Sequence, residues 1–113
     1  MTPVENCLFC KIVAGDIPAK IVFENEHALA FEDIAPQAPT HVLVIPKHHV
    51  VSLHEESDPQ AMGHLLAAVQ ATAKQLGLTD YRVVSNTGAG AGQSVFHWHW
   101  HILAGRPLAW PPG

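Results

Sequence analysis

The chain has 113 residues, 48% of them hydrophobic and only 14% charged, with a formal net charge of −4 when the histidines are neutral. That length suits one domain with a core that needs no disulfides, and the apolar content excludes a disordered chain. The mild acidity and the lack of any basic run exclude a general nucleic-acid surface, and no apolar run is long enough to span a bilayer.

The opening stretch, Met1 to Cys7, lacks the basic-then-apolar pattern of a secretory leader. A soluble, cytoplasmic chain is therefore expected. There the two cysteines stay reduced, which favours metal binding over a disulfide. The compositional outlier is histidine, with nine in so short a chain. For His27, His54 and His64 a surface or hydrogen-bonded role suffices.

Taken in order, Cys7 to Ala14 predicts a short helix ended by Gly15, with Asp16 and Pro18 in the turn that follows. Lys20 to Glu24 and Ala28 to Glu32 predict two strands around the turn Asn25-Glu26-His27. Asp33 to Thr40 holds Pro36 and Pro39 and no periodic pattern, which makes it a loop. His41 to Ile45 is a β-branched run stopped by Pro46, a buried strand. The one long helix has Asp58 as N-cap and Pro59 at its first position, with Gly77 to terminate it. Its apolar stripe comprises Met62, Leu65, Leu66, Val69, Ala73 and Leu76. Tyr81 to Ser85 predicts another strand, Thr87 to Gly92 a flexible glycine loop, and Phe96 to Ala104 the last strand. Arg106 to Gly113 is a proline-rich tail carrying Trp110. Strands in hairpin order with one long helix predict an α+β fold with an antiparallel sheet.

The chemistry concentrates in Phe96-His97-Trp98-His99-Trp100-His101-Ile102-Leu103. In a strand, successive side chains alternate faces, so His97, His99 and His101 share one face and Trp98, Trp100 and Ile102 the other. Three structural imidazoles in register would be unusual for a core strand. Two chemical readings compete: His-x-His chelation of a catalytic metal, and nucleophilic attack by a neutral imidazole with phosphohistidine as intermediate. The loop Thr87-Gly-Ala-Gly-Ala-Gly-Gln93-Ser94 bears on the choice, because glycines let backbone N–H groups approach a phosphate. Ser94 could serve a leaving group, and Asn86 a phosphate or its ribose. Asp33 suits a ribose diol or, equally, the capping of its own turn. Cys7-x-x-Cys10 is redox-active, zinc-binding or incidental by spacing alone, and two histidines would complete a tetrahedral site.

The pattern His97-Trp-His99-Trp-His101-Ile-Leu resembles the signature of the histidine triad (HIT) superfamily. Lys20-Ile-Val-Phe-Glu, Asp33-Ile-Ala-Pro-Gln-Ala-Pro-Thr-His41-Val-Leu-Val-Ile-Pro-Lys, Gly92-Gln-Ser-Val-Phe-His97 and Trp110-Pro-Pro-Gly113 resemble its histidine triad nucleotide-binding (HINT) branch. The resemblance covers essentially the whole chain, residues 1–113, as one HIT domain. It implies a purine nucleoside phosphoramidate hydrolase that works as a homodimer with the sheet continuous across two subunits. By position, His99 is the nucleophile at the α-phosphorus, His101 and His41 support it, and Ser94 stands near the leaving amine. Asp33 matches the ribose acceptor, and Asn86, Gly92 and Gln93 with Ser94 the phosphate turn. Phe9, Ile17 and Ile34 match the base pocket, and Trp110 the tail residue that reaches the partner's site. Some relatives hold a structural zinc with residues matching Cys7, Cys10, His49 and His97, which would leave only His99 and His101 to serve the phosphate; His48 is out of that pattern. Trp98 and Trp100 are bulkier than the family's usual residues, so packing behind the sheet must make room. Three rival readings are a dinucleoside polyphosphate hydrolase, a nucleotide-binding regulator with vestigial activity, and a zinc hydrolase using the triad as ligands.

Overall fold

The computed structural model describes residues 6–113; the leader reading of the first residues lies outside that range. The elements are α1 (Leu8–Val13), β1 (Ile21–Glu24), β2 (Ala28–Glu32), β3 (Thr40–Pro46), α2 (Pro59–Gln75), β4 (Arg82–Val84) and β5 (Trp100–Ala104), with single 3₁₀ turns at Leu53–Glu55 and Ala89–Ala91. The strands form one antiparallel sheet in the order β1-β2-β3-β5-β4. The α+β expectation holds. Among the described residues no helix is long and apolar enough to cross a membrane.

β2 and β3 are buried on both faces, which is why they read as continuous apolar runs rather than alternating ones. Ala28, Ala30, Val42, Val44 and Ile102 meet Leu65, Ala68 and Val69 of α2 on one face. Leu29, Phe31, Leu43 and Ile45 meet Cys7, Phe9 and Cys10 of the α1 segment on the other. The site lies on this second face.

α2 begins as its caps require: Asp58 Oδ1 accepts from Gln60 N at 2.9 Å, with Pro59 in the first turn. It ends at Gly77, whose φ of +70° is the left-handed conformation a helix stop favours. The buried stripe differs from the expected one. Leu65, Val69 and Ala73 face the core together with Ala68 and Thr72, whereas Leu66 and Leu76 are largely exposed. Ala68 of α2, with Ala28 and Ala30 of β2, shares this core with the fully buried Trp98, and their small side chains leave it room.

The last strand starts four residues later than expected, at Trp100 instead of Phe96, and β4 is trimmed to Arg82–Val84. The register explains the first difference. Val44 pairs with Trp100, so Trp98 would fall opposite Pro46. Proline has no N–H to extend the ladder. Trp98 N instead donates to Val50 O at 2.7 Å. Ser85 Oγ donates to His99 O at 2.9 Å and accepts from Trp98 Nε1 at 3.1 Å, replacing the missing strand pairing with side-chain bonds.

Candidate active site and metal centre

A neutral imidazole carries one N–H and one lone pair, and the partner of one nitrogen decides the role of the other. His99 Nδ1 lies 2.7 Å from the carbonyl oxygen of His97, which can only accept. His99 therefore donates from Nδ1 and keeps a bare Nε2. Its ring is buried, packs edge-on against Phe9 at 5.2 Å between centroids, and lines a cavity of about 330 Å³. The same cavity is lined by Phe9, Ile12, Ile17, Phe31, Ile34, Leu43 and Val95, with Asp33, Ser94 and His101 as its other polar groups of note. Three larger surface depressions, about 660, 740 and 470 Å³, contain no triad residue.

The supporting histidines form a directed chain. Gln37 N donates to His41 Nδ1 at 3.0 Å, so His41 holds its proton on Nε2. That nitrogen lies 2.8 Å from His101 Nδ1 and 3.4 Å from Asp33 Oδ2. His101 accepts at Nδ1 and so keeps its own proton at Nε2, on the ring that lines the cavity. His41 and Leu43 lie on the site face of β3, as His101 and Leu103 do on β5, which brings the two imidazoles together diagonally across the ladder. Burial holds His41 and His99 below the ordinary 6.5, partly opposed by Asp33 and, at His99, more strongly by the bond to His97 O. Burial, helped by the neighbouring His99 and His41, pushes His101 down to about 4. All three are neutral at pH 7.

His97 leaves the triad for a different task. Its Nε2 donates to Pro46 O at 2.8 Å, so Nδ1 presents a lone pair. That lone pair lies 3.3 Å from Cys7 Sγ, 3.5 Å from Cys10 Sγ and 3.3 Å from His49 Nδ1, while Cys10 Sγ is 3.4 Å from His49 Nδ1. The four donors lie within 4.8 Å of one another and could hold a metal ion. Without a cation, burial and the neighbouring Cys10 push the Cys7 thiol up to about 11. The Cys-x-x-Cys spacing works because Cys7 caps α1: its Sγ accepts from Cys10 N at 3.1 Å, which turns both sulfurs to the same side.

A second cluster, Asp33, His41 and His101, has the same compactness. Its tautomers oppose a metal. Binding through His41 Nε2 would require the proton on Nδ1, where Gln37 N–H already points.

The glycine loop is closed by its own hydrogen bonds. Gly88 (φ +88°) and Gly92 (φ +100°) close it into a 3₁₀ turn in which the N–H groups of Ala91, Gly92 and Gln93 all donate to carbonyls of the loop. The buried Gln93 side chain accepts from Gly88 N at 2.8 Å and donates to Val51 O and Val95 O. Asn86 packs against Gly92. These three residues shape the turn that delivers Ser94; Ser94 is in the cavity wall and they are not. Asp33 does cap its own turn, with Oδ1 accepting from Ala35 N at 2.8 Å, and it also lines the cavity. Trp110 is 81% exposed and outside the wall; Arg82 holds the tail just before it, donating to Leu108 O and Ala109 O at 3.0 Å each. Gln37, Pro46 and Ser85 were not among the expected site residues. The first two act through backbone atoms, which no side-chain pattern reveals.

Residues 14–108 match the family model described as HIT domain. An uncharacterized HIT-like protein of Synechococcus elongatus is 54% identical over 112 residues, covering 96% of this chain and 98% of that protein. A HIT family hydrolase from Legionella pneumophila Philadelphia 1 superposes with a TM-score of 0.91 at 47% identity, covering 96% of this chain and 100% of its own. A HIT family hydrolase from Clostridium thermocellum gives 0.88 at 42%, covering 94% and 96%.

The lowered histidines set a pH dependence. The unfolded chain takes up these protons near 6.5 and the folded chain only nearer 4 at His101. Stability contributed by the neutral site is therefore complete above about pH 6.5 and drains away as pH falls toward 4. Urea midpoints should drop steadily across that window, and the imidazole proton signals of His41 and His101 should titrate below 6.5. Ordinary midpoints at both rings would contradict the buried, neutral chain.

Proposed function

This chain belongs to the HIT domain family, and we propose that it is a purine nucleoside phosphoramidate hydrolase working through a nucleotidyl-His99 intermediate. The observation that carries the reading is the bare Nε2 of His99, held in that tautomer by the His97 carbonyl on the wall of an apolar cavity.

The base would stack among Phe9, Ile17 and Ile34, and the ribose hydroxyls would reach Asp33. The α-phosphate would lie between His99, the Nε2–H of His101 and Ser94, whose N–H is the first one past the glycine turn that the turn does not consume. His99 Nε2 attacks phosphorus in line, the P–N bond breaks, and the amine leaves with a proton from the Ser94 hydroxyl. Water then attacks phosphorus and gives its proton back to Ser94 Oγ, while the phosphorus–histidine bond breaks, returns the lone pair to Nε2 and releases the mononucleotide. The His101 donor is worth most as charge develops on the phosphoryl oxygens.

Zinc is the cation that fits the second centre. Bonds of about 2.05 Å to nitrogen and about 2.3 Å to sulfur at tetrahedral angles separate two nitrogens by about 3.3 Å and a nitrogen from a sulfur by about 3.6 Å. The distances present are 3.3 Å and 3.3–3.5 Å. Cys7, Cys10, His49 and His97 would fill all four positions, which makes the role structural. The homodimer reading rests on β4, an edge strand whose Val83 is exposed beside Leu66 and Tyr81 at the same depression. A second copy added there would extend the sheet and bring each Trp110 tail toward its neighbour. We also assign the chain to the cytoplasm as one HIT domain, in keeping with two free thiols.

His99→Ala should lower turnover of an adenosine 5′-phosphoramidate by on the order of 10³-fold or more while AMP still binds. A folded variant that loses AMP binding as well would remove His99 from the nucleophile's role. Wild type that binds AMP yet releases none would favour a nucleotide-binding regulator. Elemental analysis should find one zinc per chain. Its removal, or Cys10→Ala, should lower Tm by roughly 10 °C or more; an unchanged Tm with the metal gone would refute a structural centre. By light scattering the chain should be a dimer at micromolar concentration and Val83→Asp a monomer. Monomeric wild type would end the shared-sheet reading.

A further inference from the structure

His41 carries no proton on Nδ1 because one backbone N–H points at it. That N–H belongs to Gln37, in the exposed loop between β2 and β3, which is held locally by Ala35 N donating to Asp33 Oδ1 and by Gln37 Nε2 donating to Ala35 O. Two contacts come from the turn after β5. Arg106 Nε donates to Gln37 O at 3.1 Å. Gly105, at φ +98°, lets Pro39 approach so closely that a Cβ at 105 would come 2.8 Å from Pro39 Cβ. We infer that Arg106, seated by Gly105, is a positioning residue that sets the tautomer of His41 by fixing the Gln37 N–H, and through it the donor that His101 presents to the phosphate.

The consequence follows from lone pairs. Suppose Gln37 swung away and His41 moved its proton to Nδ1. The bare Nε2 would then face the His101 Nδ1 lone pair at 2.8 Å and the Asp33 carboxylate at 3.4 Å. Two acceptors at that distance repel, so His101 would shift its own proton to Nδ1. The cavity would lose its Nε2–H. The loop bond at Nδ1 thus acts together with the Asp33 carboxylate at Nε2 to set whether His101 donates to a phosphoryl oxygen or offers it a lone pair. The Arg106 guanidinium also donates to Pro107 O at 2.9 Å, which braces it for the reach to Gln37.

The inference rests on the phosphoramidate reading only for its kinetic consequence. The test combines two readouts on the full-length, zinc-loaded protein. Imidazole ¹⁵N spectra of wild type should show His41 protonated at Nε2 and bare at Nδ1. In Arg106→Ala the His41 signals should move toward the other tautomer. Its kcat on adenosine 5′-phosphoramidate should fall about tenfold, the scale of one lost hydrogen bond, with KM changed less than twofold. Arg106→Lys, which can still reach a carbonyl, should recover part of both. Gln37→Pro deletes the N–H itself and should shift the tautomer most. Unchanged His41 spectra in Arg106→Ala would overturn the role of Arg106, and unchanged spectra in Gln37→Pro would overturn the tautomer lock. If wild type hydrolyses no phosphoramidate, the activity reading falls, and the imidazole spectra still decide this one.

Discussion

Three backbone groups govern this site. The carbonyl of Pro46 takes the proton of His97, the carbonyl of His97 takes that of His99, and the N–H of Gln37 forbids one on His41 Nδ1. Each bond fixes which nitrogen of a neutral ring is left bare and which carries the proton, and so what the ring presents to its surroundings. His97 offers its lone pair to the cysteine cluster, His99 to the cavity, and His41 turns its proton toward His101. Burial supports the arrangement by keeping the rings neutral. A protonated imidazole would carry two donors and break the pattern at once.

The sheet supplies both the burial and the aim. With β2 and β3 covered on both faces, α2 takes the side of Trp98 and Ile102, while the α1 segment covers the side that holds the triad. Phe9 then touches Phe31, His97 and His99 edge-on at 5.4, 6.0 and 5.2 Å, so one aromatic ring lies between the cysteine–histidine cluster and the cavity. A strand buried on one face only could not place a dry imidazole row beneath a helix. The apolar runs of β2 and β3 are thus part of the site's construction.

Much of this was legible in the residues. The strand and helix order followed from turn residues and periodicity, and the caps at Asp58 and Gly77 fell where side-chain chemistry demands. The alternation of the triad put His99 and His101 on the right face. The strand's start was misplaced at Phe96 instead of Trp100, because strand pairing depends on the opposite strand's donors and Pro46 has none. The helix stripe shifted toward the buried Ala68 and Thr72 because the side of a helix that is covered depends on the partner surface and not on the helix alone. The closure of the glycine loop was not legible, because glycine content says nothing about where N–H groups point once a turn closes on itself. Gln37 and Pro46 were invisible as site residues because their contribution is a main-chain atom.

His97 joins the two halves of the molecule's chemistry. Its ring nitrogen completes the cysteine–histidine cluster and its own carbonyl, a few bonds away, holds the tautomer of His99. The ring cannot leave the cluster without moving the peptide that sets the tautomer of His99. Nor can the cluster borrow from the neighbouring Asp33–His41–His101 group, whose proton direction is set by Gln37 against a cation. Two groups with similar donor types and similar compactness therefore have opposite assignments, one offering converging lone pairs and the other an ordered line of protons. What distinguishes them is a carbonyl in one case and an amide in the other, both placed by where β3 begins and ends.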